Sequence, residues 1–124
     1  MKYWHINTAS PNNRDHMMKK NLAYIGLGKD ENDYQERIKS KYKTSTPWQF
    51  KKFNETALIG DIIILYQNKV GHIAHGKYTG EIIEPKFGRD LAPDWRITEI
   101  QKHICVDNWI SIKNPTKKYY KIDI

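Results

Sequence analysis

Five apolar residues in succession, Ile62-Ile63-Ile64-Leu65-Tyr66, stand between Gly60-Asp61 and the polar stretch Gln67 to Gly71. An unbroken run of β-branched and aromatic residues with turn formers at both ends reads as a strand. His72 to Ile83 returns as a second, longer strand, so Gln67 to Gly71 closes a hairpin. Gly76 and Gly80 inside the returning strand predict a bend or bulge. Whatever else this chain forms must pack on that antiparallel pair.

The elements before it alternate in type. Lys2-Tyr3-Trp4-His5-Ile6-Asn7-Thr8 is rich in aromatic and β-branched residues and stops at Ser10-Pro11-Asn12-Asn13, a strand followed by a turn. Residues 12–20 suit a short helix. Leu22 to Gly28 is a short apolar run holding two glycines, which reads as a strand whose end approaches another backbone or a ligand closely. Asp30 to Lys43 is charged, with Tyr34, Ile38 and Tyr42 spaced four apart, giving one apolar side on a solvated helix. Thr46 is the expected N-cap of another helix, with Pro47 at its first position and Trp48, Phe50 and Phe53 as its apolar contacts.

After the hairpin, Glu84 to Pro93 reads as a loop. Trp95 to Val106 reads as a strand in which Ile97, Glu99, Gln101 and His103 alternate with Thr98, Ile100 and Ile104, and Asn108 to Ile112 as a last short strand. Helices come early and strands late. The class is α+β: a curved, mostly antiparallel sheet of five or six strands, or a small pseudo-barrel, with two or three short flanking helices.

Length allows one domain, 1–124, and the 39% hydrophobic content supplies a core without disulfide or metal staples. Twenty-one basic residues oppose 14 acidic ones, for a net charge of +7. The excess is spread along the chain, which points to nucleic acid, another polyanion or a lysine-rich solvated surface. Residues 113–124, with four lysines beside Tyr119 and Tyr120, read as a basic tail or a strand pairing back. No apolar run is long enough to span a membrane, and no signal-peptide core follows the first residues. A single cysteine, Cys105, excludes an internal disulfide framework and a cysteine-based zinc cluster. The expected home is intracellular and cytoplasmic.

The chemistry-bearing residues favour binding over catalysis. HExxH and Walker-type patterns are absent. His72 and His75 lie three apart on a strand and should face opposite ways unless a bulge intervenes. Asp61 reads as a turn residue. We therefore assign no catalytic residue, metal or cofactor. Residues 37–54 contain no acidic side chain, and there Lys39, Lys41, Lys43, Lys51 and Lys52 surround Trp48. Basic residues interleaved with an aromatic suit phosphate contact combined with base stacking.

Trp48 and Trp95 sit in or beside polar segments and are candidate walls of an aromatic cage, or else plugs on the core. Trp4, which alternates with Ile6, and Trp109 read as core. Tyr66, Gln67 and Asn68 leave the central strand; the amides either read a base edge or form a turn with Asn68 left-handed. Thr8 and Ser10 offer hydroxyls or cap the next helix. Tyr24 and Gly26 line a pocket or form a tight core turn.

The ordered series Tyr3-Trp4, Trp48, Gly60-Asp61 with Ile62 to Tyr66, Gly71 with Ile73 to Gly76, and Asp94-Trp95 resembles the EVE domain of the PUA-like superfamily over about residues 1–112. Asn21 to Gly28 is similar to the Ile-Gly stretch of EVE-like modules in modification-dependent restriction systems. Asn68 matches an asparagine of the related YTH domains. The chain departs from the EVE pattern at Trp48 to Lys52 and at Asn7 to Pro11, so the expectation is either a different ligand or a lost pocket. The resemblance implies a PUA-like fold and a non-enzymatic module that takes a base of DNA or RNA, carrying a modification, into an aromatic pocket, with a nuclease as companion. A small hydrolase or nuclease of the related ASCH type, or a small-molecule or protein interaction module, are the alternatives.

Overall fold

The structure is a computed structural model that describes residues 2–8, 10–39, 46–83 and 100–113. Among these the order is β1 (Tyr3–Thr8), α1 (Pro11–Lys20), β2 (Leu22–Gly28), α2 (Glu31–Lys39), α3 (Thr46–Thr56), β3 (Ile62–Gln67), β4 (Gly71–Ile83) and β5 (Ile100–Ser111). The strands form one sheet in the order β1-β3-β4-β5-β2. Only β1–β3 is parallel; the other three pairings are antiparallel. The sheet curls so that its two edges, β1 and β2, approach each other. It is the α+β, curved, mostly antiparallel architecture that the sequence predicts.

The central hairpin forms as expected. Ile63 and Leu65 are wholly buried in the core with Ala74, Tyr78, Ile104 and Val106. Ile62 and Ile64, on the other face, are buried as well. At the hairpin turn it is Lys69, not Asn68, that takes positive φ, at 70°, followed by Gly71 at 120°. Asn68 instead gives its amide to the Thr8 carbonyl at 3.0 Å, prolonging the β1–β3 ladder.

Gly76 and Gly80 in β4 coincide with register shifts against β5, between His75 and Lys77 and between Tyr78 and Ile82. At Gly76 a Cβ would overlap Val106 Cγ1, so the bulge needs glycine there. Opposite it, Asn108 adopts φ 45° and β5 runs on to Ser111. The expected break into two strands near Asn108 is therefore a bulge inside one strand. Within β5, Gln101 and His103 are buried like Ile104 on the opposite face.

The helices are held by local chemistry. Ser10 caps α1, its Oγ accepting from the Asn13 amide at 3.1 Å, with Pro11 at the first position. Asp30 takes the Asp33 amide at 2.8 Å ahead of α2. On α2, Tyr34 packs against the core but Ile38 is exposed, so the apolar side expected there is narrower; Tyr42 lies outside the described residues. On α3, Phe50 and Phe53 are buried.

Candidate functional site: a pocket at the seam of the sheet

Where β1 and β2 face each other the ladder stops, and α3 crosses the gap. The result is a cavity of about 560 Å³ lined by Trp4, His5, Ile6 and Asn7 from β1, Tyr24 and Gly26 from β2, and Thr46, Gln49, Phe50, Lys52 and Phe53 from α3. That volume falls within the roughly 300–1,000 Å³ of small-molecule sites.

Each wall follows from strand and helix geometry. The carbonyls of Lys2 and Thr8 accept from the amides of Ile62 and Asn68, both at 3.0 Å. In a parallel ladder alternate residues bond to the same neighbour, so the backbone of Lys2, Trp4, Ile6 and Thr8 serves β3. The backbone of Tyr3, His5 and Asn7 is turned to the seam. Side chains alternate too: Trp4 and Ile6 point inward with the core, His5 and Asn7 to the opposite face. His5 and Asn7 thus enter the wall through their main chain. Gly26, across the gap, has no side chain to fill it. On α3, Thr46, Gln49, Phe50 and Phe53 follow the three- and four-residue spacing of one helix face.

The aromatic floor is fixed from behind. Trp4 meets Phe53 edge to face, centroids 5.0 Å apart, and Phe53 meets Tyr78 at 4.9 Å. The Trp4 Nε1–H donates to Asp61 Oδ2 at 3.1 Å. The same carboxylate accepts from the backbone amides of Leu58 at 3.0 Å and Lys2 at 3.2 Å. Burial pushes the Asp61 pKa up, but hydrogen bonds from Leu58, Trp4 and Lys2 outweigh it and hold the pKa below the ordinary value. Asp61 is a structural anchor for Trp4, in agreement with its reading as a turn residue. Lys2 Nζ lies 5.8 Å from the Trp4 ring centroid, within cation–π reach.

Tyr24 forms the inner wall. Its ring lies 4.2 Å from His103 and 5.5 Å from His16 by centroids, and His103 Nε2 is 2.6 Å from Gln101 Oε1. The Tyr24 ring is thus packed between the His16 and His103 rings behind the pocket.

Of the residues singled out from sequence, Tyr24, Gly26 and Lys52 come together here. Thr8 is buried at the far end of β1, its hydroxyl donating to the Ser10 carbonyl at 3.3 Å, and Ser10 serves as the helix cap. Tyr66 packs on His72 on the opposite face of the sheet, with ring centroids 5.0 Å apart. Gln67 is buried with no partner for its Oε1. Asn68 is exposed in the turn. These four do not line the cavity. Lys39 and Lys51 are exposed on α2 and α3, and Lys51 Nζ lies 3.9 Å from Glu55. Trp48 belongs to α3; Trp95, Lys41 and Lys43 lie outside the described residues. Trp109 is half-buried as a packing residue, its Nε1–H donating to the carbonyls of Met17 and Leu22.

Sequence reasoning missed Trp4, Ile6, Gln49, Phe50 and Phe53 as pocket residues. The Trp4–Ile6 alternation and the Phe50–Phe53 spacing are visible, but nothing local says that a gap separates them.

Among the described residues, no three His, Cys, Asp or Glu side chains gather as a metal-holding group. None of their helices is long and apolar enough to cross a membrane. No protein-family model matches the chain, and no curated protein sequence matches it.

Proposed function

We propose that the seam pocket is a nucleobase-binding site and that the chain is a non-enzymatic nucleic-acid-binding module of EVE-like, PUA-like type. One observation carries this reading. A single cavity joins an aromatic floor of Trp4, Tyr24, Phe50 and Phe53 to main-chain groups of β1 and to a lysine, Lys52, on its lining. A base needs those three things: a face to stack on, donors and acceptors for its edge, and a cation near its phosphate. The +7 charge supports a polyanionic partner. The ordered sequence motifs and the curled sheet support the EVE-like assignment, and with it a modified base in DNA or RNA and a nuclease as companion.

The test is an anisotropy titration with labelled single- and double-stranded DNA and RNA, with and without methylated or hydroxymethylated bases. The expected result is salt-sensitive binding that prefers one modified oligonucleotide. Phe50→Leu keeps apolar bulk but removes a ring, and should weaken binding by about 1 kcal/mol or more. Equal affinity of Phe50→Leu and the unchanged protein for every oligonucleotide would remove the pocket from the reading.

A further inference from the structure

The face of the sheet opposite the pocket carries a feature that base binding does not use. The register of β3 against β4 shifts between Leu65 and Tyr66, so Leu65 pairs with Ala74 but Tyr66 with His72. Ile73 is the extra residue. This bulge is the condition under which His72 and His75 share a face: His75 stands opposite Ile64, and His72 opposite Tyr66. On the other side of β3, His5 also stands opposite Ile64. Three of the chain's five histidines thus lie on one face of neighbouring strands.

His5 and His72 belong to strands separated by β3, whose backbones are roughly 9–10 Å apart. Their rings nevertheless meet above β3, with centroids 5.4 Å apart and planes at 68°. Ile64 lies fully buried in the strand between them. An apolar pair would cover an isoleucine at lower cost in desolvation. Imidazole is a side chain that borderline divalent transition-metal ions favour as a ligand.

We propose that His5 and His72 form a two-histidine site for a borderline divalent transition-metal ion of the Zn²⁺ or Cu²⁺ class, completed by water. Two imidazole nitrogens bound to one tetrahedral ion at about 2.0–2.1 Å place the ring centres about 5 Å apart, close to the spacing seen. No further His, Cys, Asp or Glu completes a trio among the described residues, so the ion retains open positions. Bound there, it clips edge strand β1 to β4 across β3.

The experiment uses the full chain after chelator treatment, with Zn²⁺ as probe and Mg²⁺, which prefers oxygen ligands, as control. Zn²⁺ should raise the melting temperature and Mg²⁺ should not. Zn²⁺ should also move the imidazole nitrogen signals of His5 and His72 together, leaving those of His16 and His103 in place. His5→Gln, on the edge strand β1, is the first variant, and His72→Gln, at a buried position, the second. Each should lower Zn²⁺ affinity by at least about tenfold, the smaller loss seen when even an outer-shell partner is removed. An unchanged Zn²⁺ response in His5→Gln, or stationary His5 and His72 signals, would overturn the site. Neither readout involves oligonucleotide binding, so the metal site and the base pocket stand or fall separately.

Discussion

The centre of the sheet and its seam are built on opposite terms. At the centre, β3 has a partner on each side, and Ile63 and Leu65 are wholly buried. Asp61 ties the start of β3 to β1, to the preceding turn and to Trp4 through three hydrogen bonds. At the seam the ladder ends at β1 on one side and β2 on the other, and a helix bridges the gap. Where strand pairing is continuous the backbone is consumed by the ladder and the inward side chains of β3, Ile63 and Leu65, are apolar. Where it stops, main-chain groups, rings and a lysine collect in one cavity. The pocket is the consequence of a barrel left unclosed.

The sharpest way to break this contrast is to remove the carboxylate on which the centre hangs. Asp61→Ala leaves three part-buried donors without their acceptor. A buried donor costs about 1–3 kcal/mol when orphaned, and the Lys2 and Leu58 amides, on exposed residues, recover part of that from water. The expected loss is about 3 kcal/mol by urea denaturation, with Trp4 fluorescence shifted because its indole anchor is gone. A loss under about 1 kcal/mol, within the range of an ordinary single hydrogen bond, would show that Asp61 is not the anchor. The sign with pH follows from its lowered pKa. A carboxylate more acidic in the folded chain stabilises at neutral pH, and that stabilisation is lost as pH falls through the folded value. Asp61→Asn should flatten this strongly acidic limb.

Gly76→Ala tests the same region through packing. The added methyl overlaps Val106 Cγ1, and Val106 is buried against Tyr78. Overpacking of this kind costs about 1–3 kcal/mol. Gly60→Ala is a useful contrast: a Cβ there meets nothing within 4 Å, but the residue sits at φ 93°. Its cost comes from backbone strain alone, of order 1 kcal/mol. If the two variants were equally mild, the close fit assigned to the centre would fail.

A milder acid limb belongs to the face opposite the pocket. Burial, and for His5 also the His72 charge, lower the His5 and His75 pKa values. A base that binds its proton less well when folded stabilises the fold above its ordinary value, and loses that contribution as pH falls below it. Stability should therefore begin to fall in the mildly acidic range, before Asp61 titrates. His5→Gln and His75→Gln should each blunt that first decline. Curves that superimpose on those of the unchanged protein would remove the assignment.

These contrasts also explain what was legible. Ile62 to Tyr66, the Gly60-Asp61 turn, the Gly76 and Gly80 irregularities and the Ser10 cap are local, and each follows from a few neighbouring residues. The pocket is not local. Tyr24 and Gly26 could be picked out because glycine in a strand flags a close approach, but Trp4 and Phe50 meet them only through a sheet order that sends β1 and β2 to opposite edges. Thr8, Tyr66, Gln67 and Asn68 looked like a site because they cluster in sequence at the end of β1 and β3. Strand alternation scatters them between the core, the far face and the turn. The ring contact of His5 with His72 depended on a bulge at Ile73, whose place no residue there announces.

The smallest effect is at Lys52, and it separates the two regions most cleanly. Lys52 is exposed on α3 and lines the cavity. Lys52→Ala removes neither core volume nor a ladder bond, so stability should change by no more than about 0.5 kcal/mol. If the lysine meets a phosphate, its loss releases one fewer counterion. The slope of log affinity against log salt should then become shallower by about 0.7 for a single strand or about 0.9 for a duplex. Gln49→Ala, also exposed on the same helix, should lower affinity without altering that slope, because an amide carries no charge to exchange. A Lys52→Ala protein with full stability and an unchanged slope would leave the aromatic floor intact and take the phosphate out of the pocket's chemistry.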